Sequence, residues 1–399
     1  MKRINLQYRV IQGLYWMLYC VCFGYMTLYL SGKGYSASGI GIIAAVFGVV
    51  STLMQPVIGH ITDKALHGWK ISMLVSLAIC LVLSAGLLMV DKFYVQGALF
   101  GLLIALVGAM MPLINTICFS CTEDGMGVDF GSARGVGSLG YAAISILLGH
   151  LLKEHSENII PLVAGALIPI LALLIMIIPF VPGKRNLRNG VVDERKNTFI
   201  NFFHQTHGFL LIWLGGVLMM AFHCMTNTYM LQIVQKAGGG SDSLGVTLGI
   251  AAIMELPVMF AFGKISERFS LKSLFIVTGV AFITKALLYF AAENVYVIWT
   301  AQIFQMLSFA LYANLTVIYA AKYVKKEFQT LGQSLMSATI SIGTVAGSLL
   351  GGFLLEKIGI RGMLIVGIAL SAAGLVTIIL RFVTGCELQE DKIVTIQHP

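Results

Sequence analysis

The 399-residue sequence has little charge: Asp, Glu, Lys and Arg make up 11% of it, against 58% hydrophobic residues. Soluble domains average about a quarter charged, so a water-soluble chain is excluded and most side chains must face lipid or one another. The short alternating strands of an outer-membrane barrel are also missing, because the apolar runs are uniformly apolar. Seven cysteines are scattered, mostly inside those runs (Cys20, Cys22, Cys80, Cys118, Cys224), without metal-ligand or disulfide spacing. They read as small packing residues. No run offers histidines at ligand spacing, a nucleophile beside a base, or a phosphate-binding glycine loop. Catalytic residues, a metal and a cofactor are therefore not expected, and an enzyme is disfavoured. His204 and His207 lie close together, but in a polar stretch where a solvated role is the better reading.

What is present is a series of twelve apolar runs, at about 10–31, 39–58, 71–90, 95–119, 131–152, 159–181, 208–235, 244–262, 271–291, 295–321, 330–355 and 362–382. A spanning helix needs roughly 20 mostly apolar residues, so the expected fold is an all-α membrane protein of twelve transmembrane helices. Met1-Lys2-Arg3 precedes an apolar run too long for a signal-peptide core and is read as leading into the first helix. Residues 183–207 are the one long polar stretch, and 384–399 form a short polar tail without a lipidation signal. The expected organisation is a six-helix bundle over 1–182, a linker over 183–207, a second bundle over 208–383 and the tail. Of the 26 lysines and arginines, 18 fall in the termini and even-numbered loops and 6 in the odd-numbered loops, with Arg134 and Lys285 inside runs. That bias predicts cytoplasmic termini, linker and tail in a plasma membrane, a bacterial inner membrane being favoured. The net charge of +8 is thus an orientation signal, and its dispersal among loops argues against nucleic acid.

Two loops repeat. Gly59-His60-Ile61-Thr62-Asp63-Lys64, followed by Lys70, is echoed 204 residues later by Gly263-Lys264-Ile265-Ser266-Glu267-Arg268, followed by Lys272. A motif recurring at about half the chain length, each time between two apolar runs, predicts a duplicated protein with two pseudo-symmetric halves around a central cavity. Gly59, Asp63, Lys64, Lys70, Gly263, Glu267, Arg268 and Lys272 are read as a conformational latch whose ion pairs break when the halves tilt. Gly131, Gly135 and Gly140 on the fifth run, and Gly343, Gly347 and Gly351 on the eleventh, are expected to let helices approach closely.

The two loops, the twelve runs and the six-plus-six split resemble the major facilitator superfamily. A narrower resemblance is to the lactose permease branch, the oligosaccharide–proton symporters. It rests on Ser38-Gly39-Ile40-Gly41-Ile42-Ile43 with Gln55-Pro56, on Phe130-Gly131-Ser132-Ala133-Arg134 running to Gly140-Tyr141, and on Met254-Glu255-Leu256. The resemblance implies that Arg134 holds substrate hydroxyls, as a planar fork of donors can, and that Tyr141 stacks on a sugar ring where the branch usually has tryptophan. It also exposes departures. Asn115, three residues after Pro112, stands where the branch has a sugar-binding glutamate. Lys285 replaces an arginine, and Gln305 and Ser308 replace a histidine and the proton-carrying glutamate.

An ionisable group inside a span is a functional candidate by default. Arg134, Glu255, Lys285 and His223 are such groups. Glu255 is expected to bind substrate, proton or both, with Lys285 as charge partner and His223 assisting; a structural Glu255–Lys285 pair is the plainer alternative. Asn227, Asn115 and Gln305 can exchange hydrogen bonds with hydroxyls, and Tyr25, Tyr29 and Tyr229 could line a wet cavity, Tyr29 equally an interfacial belt. The favoured reading is alternating-access transport of a small polar organic solute, a sugar or glycoside first, by proton symport in a monomer. A nucleoside symporter and a drug efflux antiporter are the alternatives, the latter disfavoured because residues 10–31 contain no acid. A sensor that kept a transporter fold would be expected to add a folded cytoplasmic domain.

Overall fold

Backbone groups in a bilayer cannot bond to lipid, so long apolar runs must satisfy them internally as helices. The computed structural model describes residues 2–64, 68–122, 129–178, 208–324 and 328–384, and they are helical almost throughout. The linker at 183–207, with His204 and His207, and the tail after Thr384 lie outside the described residues, as do the side chains of Asp63 and Lys64.

In chain order the first half comprises helix 1 (Lys2–Tyr19, a π turn Cys20–Gly24, then Met26–Gly32), helix 2 (Ala37–Lys64), helix 3 (Gly68–Met89), helix 4 (Phe93–Ala109 and Met111–Thr122), helix 5 (Phe130–Glu154) and helix 6 (Ile159–Ile177). The second half comprises helix 7 (Phe209–Thr228 and Met230–Lys236), helix 8 (Ser241–Arg268), helix 9 (Leu271–Ala291) and helix 10 (Val295–Ile303, a π turn Met306–Ala310, then Leu311–Tyr323). Helices 11 and 12 are the two parts of Gln329–Thr384 on either side of Gly359.

Among the described residues, ten helices are long and apolar enough to cross a membrane, or eleven when the pair bent by 43° in helix 1 counts as one span. Twelve separate helices, as the runs predict, is therefore not the count observed. The difference lies at Gly359, whose φ of 72° and ψ of 179° turn the chain between helices 11 and 12 with no intervening loop. A side chain would strain that backbone.

Short polar residues set several helix starts. Ser270 accepts from the Ser273 amide and Asn294 from those of Tyr296 and Val297, filling donors that a first turn leaves open. Asp129 caps helix 5 by accepting from the Ser132 amide at 3.1 Å. Bonding to Ser132, helped by Arg9, holds its carboxyl below the usual range. Bulky apolar side chains such as Val82, Met89 and Val57 point outward, as a lipid-facing surface requires.

Two seams join the halves, helix 2 against helix 11 and helix 5 against helix 8. Near the termini the first seam parts around a cavity of about 710 Å³, lined by Thr52 and Gln55 of helix 2, Gln329, Gln333, Ser337 and Ser341 of helix 11, and neighbours. On the opposite face both seams are closed.

Candidate functional site

Helix 1 supplies an aromatic ladder. Trp16, Tyr19 and Phe23 recur at three- and four-residue steps, so their rings lie on one face, with centroids 5.0 Å and 4.2 Å apart along the ladder. Across from it, on helix 5, the Arg134 guanidinium lies 3.8 Å from the Trp16 ring centroid and donates to Ser138 at 3.3 Å. Trp16 in turn donates its indole N–H to Gln12. Gly137 lets helix 5 pass this ring: a β-carbon there would sit 2.5 Å from Trp16 Cδ1. Among the described residues Arg134 makes no ion pair within 4.0 Å, although the Glu255 carboxylate is near enough to interact electrostatically.

The second half brings together four candidates from four helices. Gln305, at the edge of the π turn in helix 10, donates from Nε2 to Glu255 Oε1 of helix 8 at 3.0 Å. Its carbonyl oxygen accepts from Lys285 Nζ of helix 9. The expected Glu255–Lys285 pairing thus runs through an amide. Lys285 is buried, its ammonium 5.7 Å from the Tyr289 ring centroid, a cation–π distance. His223 of helix 7 is buried and stacked on Phe309 at 4.5 Å, and its Nε2 shares a 3.0 Å hydrogen bond with Asn227 Nδ2. Among the described residues His223 Nδ1 has no hydrogen-bond partner, and its ring interacts electrostatically with Lys285.

Other candidates sit apart. Tyr141 neighbours the Cys20 thiol in the π turn of helix 1 and also lies within the field of Glu255. Asn115 is half-buried on helix 4, and among the described residues it shares no hydrogen bond with another candidate. Ser308 spends its hydroxyl on the Phe304 carbonyl of its own helix at 2.7 Å. Tyr29 is fully buried and stacked on Phe100 at 4.6 Å, which removes it from any interfacial belt.

Of the latch residues, Lys70 bonds the carbonyls of Met176 and Ile178 at the end of helix 6, at 2.8 Å and 3.0 Å. A cation there complements the helix dipole. Glu267, Arg268 and Lys272 are exposed, and Gly59 and Gly263 face open space on the parted side. Trp16 and Phe309 were not singled out from sequence. The helical spacing of aromatics 16, 19 and 23 carried that signal for the first; nothing comparable marks the second.

A two-fold helical bundle with charged and amide groups buried between its halves is the architecture of a membrane transporter. The sequence model described as the MFS_1 like family matches residues 8–366, and the chain belongs to that family. Among its relatives are an uncharacterized transporter, YwbF, of Bacillus subtilis (strain 168) and a putative nucleoside transporter, YegT, of Escherichia coli (strain K12). YwbF is 22% identical over 355 residues, 88% of this chain and 86% of the relative. YegT is 23% identical over 372 residues, covering 86% and 82%. The crystal structure of the nucleoside transporter NupG superposes with a TM-score of 0.78 at 16% identity, over 95% of this chain and 98% of that one. An auto-inhibited peptide transporter of the POT family gives 0.70 at 11%, over 98% of each. At these identities the structures establish the fold, and the lactose permease branch gains no support from the relatives reported.

Proposed function

We propose that this transporter carries a nucleoside, or a closely similar ribosyl solute, between Arg134 on the first half and the Glu255–Gln305–Lys285 chain on the second. The observation that carries the reading is the Glu255 carboxylate held by the Gln305 amide within reach of the Arg134 field. Acceptor and donor groups presented together suit vicinal hydroxyls, and the aromatic ladder of helix 1 suits a planar base. The names of the relatives lean the same way. A sugar or glycoside remains the second reading, supported by the hydroxyl-binding groups alone.

In this reading the positively biased face is cytoplasmic, so the chain sits in a bacterial plasma membrane with its termini inside and its cavity open inward. Glu255 couples transport to a proton, being the acid that both halves' cations address. Gly59, Asp63, Lys64 and Lys70, with Gly263, Glu267, Arg268 and Lys272, close the inner face when the halves rock back.

Tracer uptake into proteoliposomes tests this, with uridine, adenosine and a disaccharide compared under an imposed pH gradient. Nucleoside accumulation that collapses with the gradient, and is lost in E255Q, is the expected result. Disaccharide uptake alone would transfer the assignment to the sugar reading, and unchanged gradient-driven accumulation by E255Q would remove Glu255 from coupling.

A further inference from the structure

Helices 1 and 7 each break at a tyrosine, and the two breaks match. Tyr25 has φ −109° and ψ 9°, and Tyr229 has φ −104° and ψ 27°. Both rings are fully buried, and the residues stand 204 apart. Leaving the helical path aims each phenol at a seam between the halves, on the face opposite the termini.

The surroundings of the two phenols correspond residue for residue. Tyr25 donates its hydroxyl to the Ser145 carbonyl of helix 5. The Tyr229 hydroxyl lies 2.9 Å from the Ser348 carbonyl of helix 11, the counterpart of Ser145 at an offset of 203, and 3.0 Å from the Ala37 carbonyl of helix 2. Each serine carbonyl abuts a glycine of the opposing half. A β-carbon on Gly245 would lie 2.4 Å from Ser145 O and 2.9 Å from Tyr25 Oη. One on Gly41, its counterpart at an offset of 204, would lie 2.4 Å from Ser348 O and 2.7 Å from Tyr229 Oη. Gly149 and Gly352 complete the two crossings, with β-carbons that would fall 2.6 Å from Ser241 O and 2.5 Å from Ala37 O. Only backbones without side chains approach this closely.

Farther out, Lys153 of helix 5 pairs with Asp242 of helix 8 at 2.7 Å. At the matching positions Glu356 of helix 11 accepts from the Ser38 amide of helix 2 at 3.1 Å. A further tie is Thr27, which donates to the Thr228 carbonyl freed by the break in helix 7.

We infer that the chain carries a duplicated lock on this face: Tyr25 and Tyr229 each pin a seam carbonyl of their own half against a glycine of the other. The bond from Tyr229 to the Ala37 carbonyl crosses the halves and must break for them to separate here, whereas the Tyr25 bond lies within its own half and holds the Ser145 carbonyl in place at its glycine crossing. The inference rests on the alternating-access reading and is independent of the solute. A hydroxyl bond of this kind shifts the closed-to-open ratio about fivefold.

Amide hydrogen exchange, read by mass spectrometry on the full chain in lipid nanodiscs without solute, tests the lock. In Y25F/Y229F, peptides over 37–45, 145–153, 241–249 and 348–356 are expected to exchange roughly tenfold faster. Peptides over 52–62 and 329–341, around the cavity, should slow as that side closes. G41A/G245A should give the same pattern by wedging the seams, and it carries the test if the tyrosine variant does not fold. Unchanged exchange in both variants overturns the lock, and so does uniform acceleration along the chain, which would assign the tyrosines to the fold as a whole. Because no solute is present, a failed uptake screen leaves this result standing, and the reverse also holds.

Discussion

Shifting the first half onto the second by 203 or 204 residues matches the closed seams and mismatches the site. Tyr25, Gly41, Ser145, Gly149 and Lys153 meet Tyr229, Gly245, Ser348, Gly352 and Glu356. By the same shift Trp16 meets Met220, Arg134 meets Ser337, Tyr141 meets Thr344, Tyr19 meets His223 and Ser51 meets Glu255. The contrast follows from what each region must do. Rocking about a two-fold axis loads both seams alike, so a duplicated gate stays duplicated. A bound organic solute has no such axis, and the groups that grip its two ends have to differ.

That division can be broken experimentally, beginning with the largest effect. If the site is asymmetric, E255Q should weaken solute binding by about a hundredfold, since a hydrogen bond to a charged group is at stake; S51A at the mirrored position should leave binding unchanged. Isothermal titration or tracer binding reads both. R134K keeps the charge but gives up the planar face stacked on Trp16, and roughly a tenfold loss is expected.

The gate offers a finer comparison, because its copies are not identical. Tyr229 reaches carbonyls of both halves, whereas Tyr25 bonds only within its own. Y229F alone should therefore speed exchange over 348–356 about fivefold more than Y25F speeds it over 145–153. Equal effects would reduce the Ala37 contact to a bystander.

The smallest effect concerns the start of helix 5. D129A removes the cap and should lower thermal stability by roughly 0.5 kcal/mol, a figure discounted for exposure. The folded carboxyl titrates below its ordinary range, so its contribution is present above the ordinary carboxylate pKa and fades as pH falls through the lowered one. Melting curves of D129A and the unmodified chain should accordingly converge in acid.

Much of this was legible in the sequence because it depends on composition and sign. Arg134, Glu255, Lys285 and His223 stand out wherever charge is otherwise absent, and the repeated glycine–acid–base loops announce the duplication. The helix count was less legible: the runs 330–355 and 362–382 read as separate spans, but Gly359 turns the chain directly from one into the other, so they form one continuous helical stretch. Roles that hang on side-chain geometry were hidden. Nothing in spacing says that Gln305 would stand between Lys285 and Glu255, or that Tyr29 would bury itself against Phe100. The phenol lock needed the two helix breaks before the 204-residue spacing of Tyr25 and Tyr229 acquired a meaning.

The Gln305 amide has one further consequence. Its NH2 faces a carboxylate and its oxygen faces an ammonium, so turning it over would set like against like at both ends. Once Glu255 takes up a proton it can donate as well as accept, and that penalty is lifted on its side. The ammonium of Lys285 still opposes a turned amide, so the side chain keeps one heading in both states and ties the charge of each neighbour to the other beside the π turn of helix 10.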